Sequence, residues 1–194
     1  MKHFELNGQI RTAEGKAAVK ALRKEGLVPC NLYGQGIENV LFTVSEKDLK
    51  GLTHTPASYI VDIKLSDGTA HTAILHETQW HPVKENCLHA DFLKISEDKP
   101  VAIKVPINIS GHAVGAQAGG KFVQSQRELR VSGLIKNLPD TLDVDITPLH
   151  IGERIVAGDI KLDGVTMLSP KDMIVCSVRQ TRQSQAATAE AAKK

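Results

Sequence analysis

The chain has 194 residues and a mass of 21.0 kDa, room for one large domain or two small ones. Its 24 Lys+Arg against 22 Asp+Glu give a net charge of +2, which excludes a strongly basic chromatin-like protein and an acidic tail protein. Nucleic-acid binding stays open, because it needs a local basic face rather than a basic average.

Hydrophobic residues make up 41% of the chain, enough for a packed core. Aromatics are only 4%, so an exposed Trp or Tyr is conspicuous. The opening residues hold no apolar run of signal-peptide type, and no apolar stretch has membrane-spanning length. Cys30, Cys87 and Cys176 are odd in number and form no CxxC pair. A cytoplasmic protein without a disulfide framework, membrane contact or cofactor is expected.

In chain order, two-residue alternation predicts strands over Phe4 to Ile10, Val28 to Tyr33 and Val40 to Val44. Lys16 to Glu25 is built of good helix formers and ends at Gly26. Ser45 to Asp48 has the pattern of a capping box opening a short helix through Leu52. Tyr59 to Leu65, the turn Ser66-Asp67-Gly68 and Ala70 to Leu75 read as a hairpin. A turn at Gln79-Trp80-His81-Pro82 then leads into a strand over Leu88 to Ile95.

Beyond it, Val101 to Ile109 alternates cleanly, with Pro106 on the other face suggesting an edge strand or a bulge. Gly111 to Gly120 reads as a flexible loop. Strands are expected over Glu128 to Ile135, Leu142 to Ile146, Val165 to Leu168 and Met173 to Val178. The polar, alanine-rich end from Gln180 to Lys194 reads as a disordered tail or frayed helix. The class is mainly β and mostly antiparallel. The polar cluster Ser96 to Pro100 marks a boundary between domains over 1–96 and 97–180, with a tail over 181–194.

Charge is uneven. Residues 1–30 hold six bases against three acids, whereas residues 31–95 hold five against eight. Lys16, Lys20 and Arg23 follow an i, i+4, i+7 spacing and share one helix face, with Ala18, Val19 and Leu22 free to face a core. Such a row can meet successive phosphates or can simply be a solvated face. In Leu88-His89-Ala90-Asp91-Phe92, strand geometry puts His89 and Asp91 together on the face opposite Leu88, Ala90 and Phe92.

That His–Asp pair could ligate a metal, form a general base with its orienting carboxylate, read base edges, or be a hydrated strand face. Trp80 could stack on a base or be buried against a neighbouring element, and Tyr33 could project from its glycine turn or pack in the core. Gly119-Gly120-Lys121 lacks the Ser or Thr of a phosphate loop, and no nucleophile or metalloprotease motif is present.

Together, Glu14-Gly15-Lys16, Leu22 to Pro29, Leu32-Tyr33-Gly34, His81-Pro82 and Leu88 to Phe92 resemble the bacterial large-subunit ribosomal protein family that binds 5S rRNA. The second half is similar to the C-terminal domain of its long form, of general-stress-protein type. The resemblance covers nearly the whole chain outside the tail. It implies a six-stranded β-barrel with short helices, similar to the anticodon-binding domain of glutaminyl-tRNA synthetase, followed by a C-terminal β-domain. It implies docking on the widened minor groove of an irregular internal loop of 5S rRNA.

The implied RNA-binding set is Arg11, Lys16, Lys20, Arg23, Tyr33, Gln79, His89 and Asp91. Other implied partners are neighbouring large-subunit components, and the free protein is expected to be a monomer. Departures are Val19 where some members have a small hydroxyl residue, Trp80 where some have a basic residue, and Lys20 in place of an arginine with its planar fork.

The leading expectation is a non-catalytic ribosomal constituent. A freestanding tRNA or stress-RNA binder on the same barrel is the alternative. A metal hydrolase built on His76, His81, His89 and Asp91 is the third reading.

Overall fold

A computed structural model describes residues 1–12, 15–34, 36–55, 57–96, 99–160, 162 and 164–181. The chain divides into two compact units that meet in sequence at Val101 and Ala102.

The first unit is a closed six-stranded barrel. Its strands are β1 (Lys2–Ile10), β2 (Leu27–Tyr33), β3 (Val40–Ser45), β4 (Tyr59–Leu65), β5 (Ala70–Trp80) and β6 (Cys87–Lys94), in the order β1-β3-β2-β6-β5-β4. Two of its pairings, β1 with β4 and β2 with β6, are parallel, and the other four are antiparallel, so the sheet is mostly antiparallel as expected. Alternation along each strand sends Leu6, Val28, Cys30, Leu32, Val61, Ile63, Ala73 and Ala90 into the interior. There Phe42 and Phe92 meet with ring centroids 5.7 Å apart. Removing this apolar surface from water is the main favourable term for the unit.

Two helices complete the first unit. α1 (Lys16–Lys24) lies against β2 and buries no residue completely. α2 (Glu46–Thr53) adds Leu49 and Leu52 to the barrel core. Ser45 caps α2, but its hydroxyl accepts from the N–H of Lys47 at 3.3 Å, not from that of Asp48 as a capping box requires. β5 runs through Gln79 and Trp80, so the turn expected there starts at His81. His81 Nδ1 accepts from the N–H groups of Val83 and Lys84, and its own N–H donates to the Asn86 carbonyl.

The second unit is built on two sheets. One has the order β10 (Leu142–Asp145), β7 (Val101–Ser110), β9 (Glu128–Gly133), β12 (Val165–Met167). The other has the order β11 (Arg154–Val156), β13 (Ile174–Arg179), β8 (Lys121–Gln124). β7 is an inner strand, not the edge strand that Pro106 suggested. Its parallel ladder with β10 runs from Ile107 to Ser110, immediately beyond the proline.

The expected loop over 111–120 contains a short helix, α3 (Val114–Gln117), and it is packed. A Cβ on the buried Gly115 would stand 2.5 Å from the Ile151 nitrogen. Glycine serves close approach there, not mobility. Of the tail, only Gln180 and Thr181 are described, and the expectation for 182–194 lies outside the described residues.

Candidate nucleic-acid interface

Strand pairing assembles the polar outer face of the barrel. β2, β6 and β5 are neighbours, with Asn31 opposite Asp91 and Asp91 opposite Glu77. Gln79 stands directly opposite His89. His89 and Asp91 point outward because Ala90 and Phe92, between and beyond them, fill the barrel. Their side chains are each about a quarter exposed, with Nδ1 and Oδ1 3.6 Å apart. That is beyond hydrogen-bond reach. The Asp91 carboxylate therefore does not spend this lone pair on His89 and can accept from a ligand.

Tyr33 ends β2 on the same side. Its hydroxyl and His76 Nδ1 lie 3.3 Å apart, and the two rings meet edge to face. Burial raises the Tyr33 phenol above its ordinary value, and the negative charges of Asp91 and Glu77 add to the rise. A Cβ at Gly34 would stand 2.9 Å from the Lys94 Cβ, so glycine there lets the end of β2 lie against β6. Trp80 is 39% exposed and does not fill the core. Its indole N–H donates to Thr78 on its own strand, and its ring meets the edge of His54. It therefore turns to the side of Thr78, away from Gln79 and His89.

The cations come from β1 and α1. Lys16 and Lys20 are exposed on α1. Arg23 shares their face in the sequence pattern but is half-buried, and its Nε donates to the Leu88 carbonyl at 3.0 Å. One of its five N–H donors is thus structural, fastening α1 to the strand that carries His89. Arg11 is half-buried after β1, with its backbone N–H on the Leu41 carbonyl and its Nε buried without a partner. Burial pushes the Cys30 thiol far up, while the Arg11 charge opposes that shift.

Lys16, Lys20 and Arg23 thus sit on a helix packed on β2, the strand next to β6. Gln79, His89, Asp91 and Tyr33 lie on β5, β6 and β2. The pairing adds Asn31 and Glu77 to this face, and the contact with Tyr33 adds His76. Asn31 and Glu77 carry no local signal, because only long-range register puts them beside Asp91. The four residues of the hydrolase reading do not converge. His76 meets Tyr33, and His81 Nδ1 serves its own turn. Among the described residues, no group of three or more His, Cys, Asp and Glu is placed to hold a metal ion.

Sequence comparison gives this face its context. The Ribosomal L25p family model matches residues 6–92, the barrel. The model for the C-terminal domain of ribosomal protein TL5 matches residues 100–182. The large ribosomal subunit protein bL25 of Bacteroides thetaiotaomicron is 40% identical over 198 residues and the full length of both chains. That of Porphyromonas gingivalis is 38% identical over 187 residues, covering 96% of this chain and 97% of its own. The chain belongs to the ribosomal L25p family. Membership in its two-domain form makes this a structural component of the ribosome and not an enzyme. No helix among the described residues is long and apolar enough to cross a membrane.

Proposed function

We propose that the barrel binds 5S rRNA at an irregular internal loop, as a cytoplasmic constituent of the large ribosomal subunit. In this reading residues 1–96 form the 5S rRNA-binding module, and residues 97–180 reach neighbouring ribosomal components. The observation that carries the reading is the Arg23–Leu88 hydrogen bond, which fastens a cationic helix beside the His89–Asp91 strand. Lys16, Lys20, Arg11 and the free donors of Arg23 engage phosphates and set the register. Gln79, His89 and Asp91 take base edges or 2′-hydroxyls and set the site, while Tyr33 offers a ring and a hydroxyl.

The chemistry requires an irregular target. A regular A-form duplex hides its base edges in a deep, narrow groove and presents 2′-hydroxyls in the shallow one. A carboxylate such as Asp91 is repelled by phosphates and gains only where a base amino group donates to it. Non-Watson–Crick pairs in a widened groove present such donors. Mobility-shift titration of the full chain against 5S rRNA, with tRNA as competitor, tests the reading. Preference for 5S rRNA that vanishes in the His89→Ala/Asp91→Ala double variant is expected. Equal or greater affinity for tRNA would overturn it.

A further inference from the structure

The β11-β13-β8 sheet has one face of cations that form no ion pair among the described residues. Cys176 and Val178 of β13 are buried in the unit's interior, so Ser177 and Arg179 point the other way. Register extends that face across the sheet. Arg154 on β11 stands opposite Ser177, Val123 on β8 also stands opposite Ser177, and Lys121 on β8 stands opposite Arg179. Lys121, Arg154 and Arg179 are all exposed. Directly opposed residues hold their Cβ atoms about 5 Å apart and diagonal ones about 7–8 Å, so the three cations crowd a patch three strands wide.

Among the described residues, no ion pair compensates them. Like charges directly opposite each other destabilise a sheet. The two carboxylates nearest to Arg154 in sequence each hold a backbone N–H on one oxygen. Glu153 Oε2 accepts from the His150 N–H at 2.7 Å, and Asp159 Oδ2 accepts from the Val156 N–H at 3.1 Å. Elsewhere in the molecule exposed lysines do find partners, as Lys64 does with Glu5 and Lys104 with Glu128.

We propose that this face is a second RNA-contacting surface, one that takes the phosphates of a regular RNA duplex without reading its bases. Two guanidinium forks and an ammonium across three strands match a line of backbone anions. The face carries no carboxylate, amide or aromatic ring to discriminate bases; Gln124 and Phe122 pair with Cys176 and Val178 and share the opposite face. It also offers little apolar area, since Val123 is half-buried, and that disfavours a protein segment as the occupant. Phosphate contacts of this kind position a protein and add affinity without sequence information.

The test uses the full chain and a fully paired RNA duplex without an internal loop, in a Lys16→Gln/Lys20→Gln background that lowers the contribution of α1. Binding is titrated against salt with and without the added triple change Lys121→Gln/Arg154→Gln/Arg179→Gln. The log–log salt slope is expected to become shallower by about one for each cation removed. With Lys16 and Lys20 intact, the triple variant should keep its preference for 5S rRNA over tRNA. Thermal melting should stay level or rise, because the Lys121–Arg179 repulsion is relieved.

Should the triple variant fail to fold, Arg179→Gln alone carries the test with a change of about one in slope. Lys121→Arg, which keeps the charge, should bind as the unsubstituted chain does. An unchanged salt slope would overturn the proposal. So would polyglutamate displacing the chain from duplex RNA as well as unlabelled duplex does at equal charge.

Discussion

The two units expose cations in different company. On the barrel, Arg11 and Arg23 are half-buried, and the face beside them carries two histidines, two carboxylates, two amides and a phenol. On the β11-β13-β8 sheet, the cations are exposed and Ser177 is the polar neighbour register places between them. The first arrangement can discriminate, because acceptors such as Asp91 penalise any ligand that cannot donate to them. The second can only attract. In this reading one unit chooses the site and the other adds reach along the RNA, and each should fail in its own way.

The largest expected effect removes the choosing unit. Phe42→Ala empties the centre of the barrel, where Phe42 and Phe92 meet, and should cost about 3–5 kcal/mol of barrel stability. In calorimetry the barrel transition should drop while that of the second unit holds its place. Near the lowered transition the chain should lose its preference for 5S rRNA and keep a salt-sensitive affinity for plain duplex. A single transition falling as a whole would show that the units do not unfold separately.

Next in size is the acceptor itself. Asp91→Ala should cost about 1–3 kcal/mol of 5S rRNA affinity and leave the salt slope unchanged, because no cation is lost. Asp91→Asn keeps an acceptor and should recover part of that loss. If Asp91→Ala tightens binding instead, the carboxylate faces phosphate and the base-reading role is wrong. Lys16→Gln should do the converse. Affinity for every RNA should weaken, with a slope shallower by about one and the preference for 5S rRNA retained.

The contrast between the units follows what was legible in the sequence. The barrel strands and α1 are written in local patterns: alternation, helix formers, and a glycine after Glu25. His89 and Asp91 could be placed on one face because a strand has a period of two. Their companions could not, since Asn31, Glu77 and His76 reach Asp91 and Tyr33 only through pairings between distant segments.

The second unit was harder to read for the same reason. β8 and β11 span four and three residues, too few to show a period. Lys121, Arg154 and Arg179 are scattered along the chain and meet only through register. Pro106 and the glycines from 111 to 120 misled because each was read by its own preference. Beyond Pro106 a ladder begins, and Gly115 is required by contact with Ile151.

The smallest effect tests the barrel face without RNA. Burial first, then Asp91 and Glu77, keep the Tyr33 phenol protonated above its ordinary value near 10. A folded-state value raised above the unfolded one means that the neutral form is favoured by folding. The associated stability is fully present below the ordinary tyrosine range and is lost as pH rises through the higher folded value. Phenolate absorbance of the free protein should therefore show a late-titrating tyrosine that Tyr33→Phe removes. Asp91→Asn should bring that titration partway back, because one of the two opposing charges is gone. A titration indifferent to Asp91 would place the phenol outside the carboxylate's field, and the barrel face would then no longer be one connected polar site.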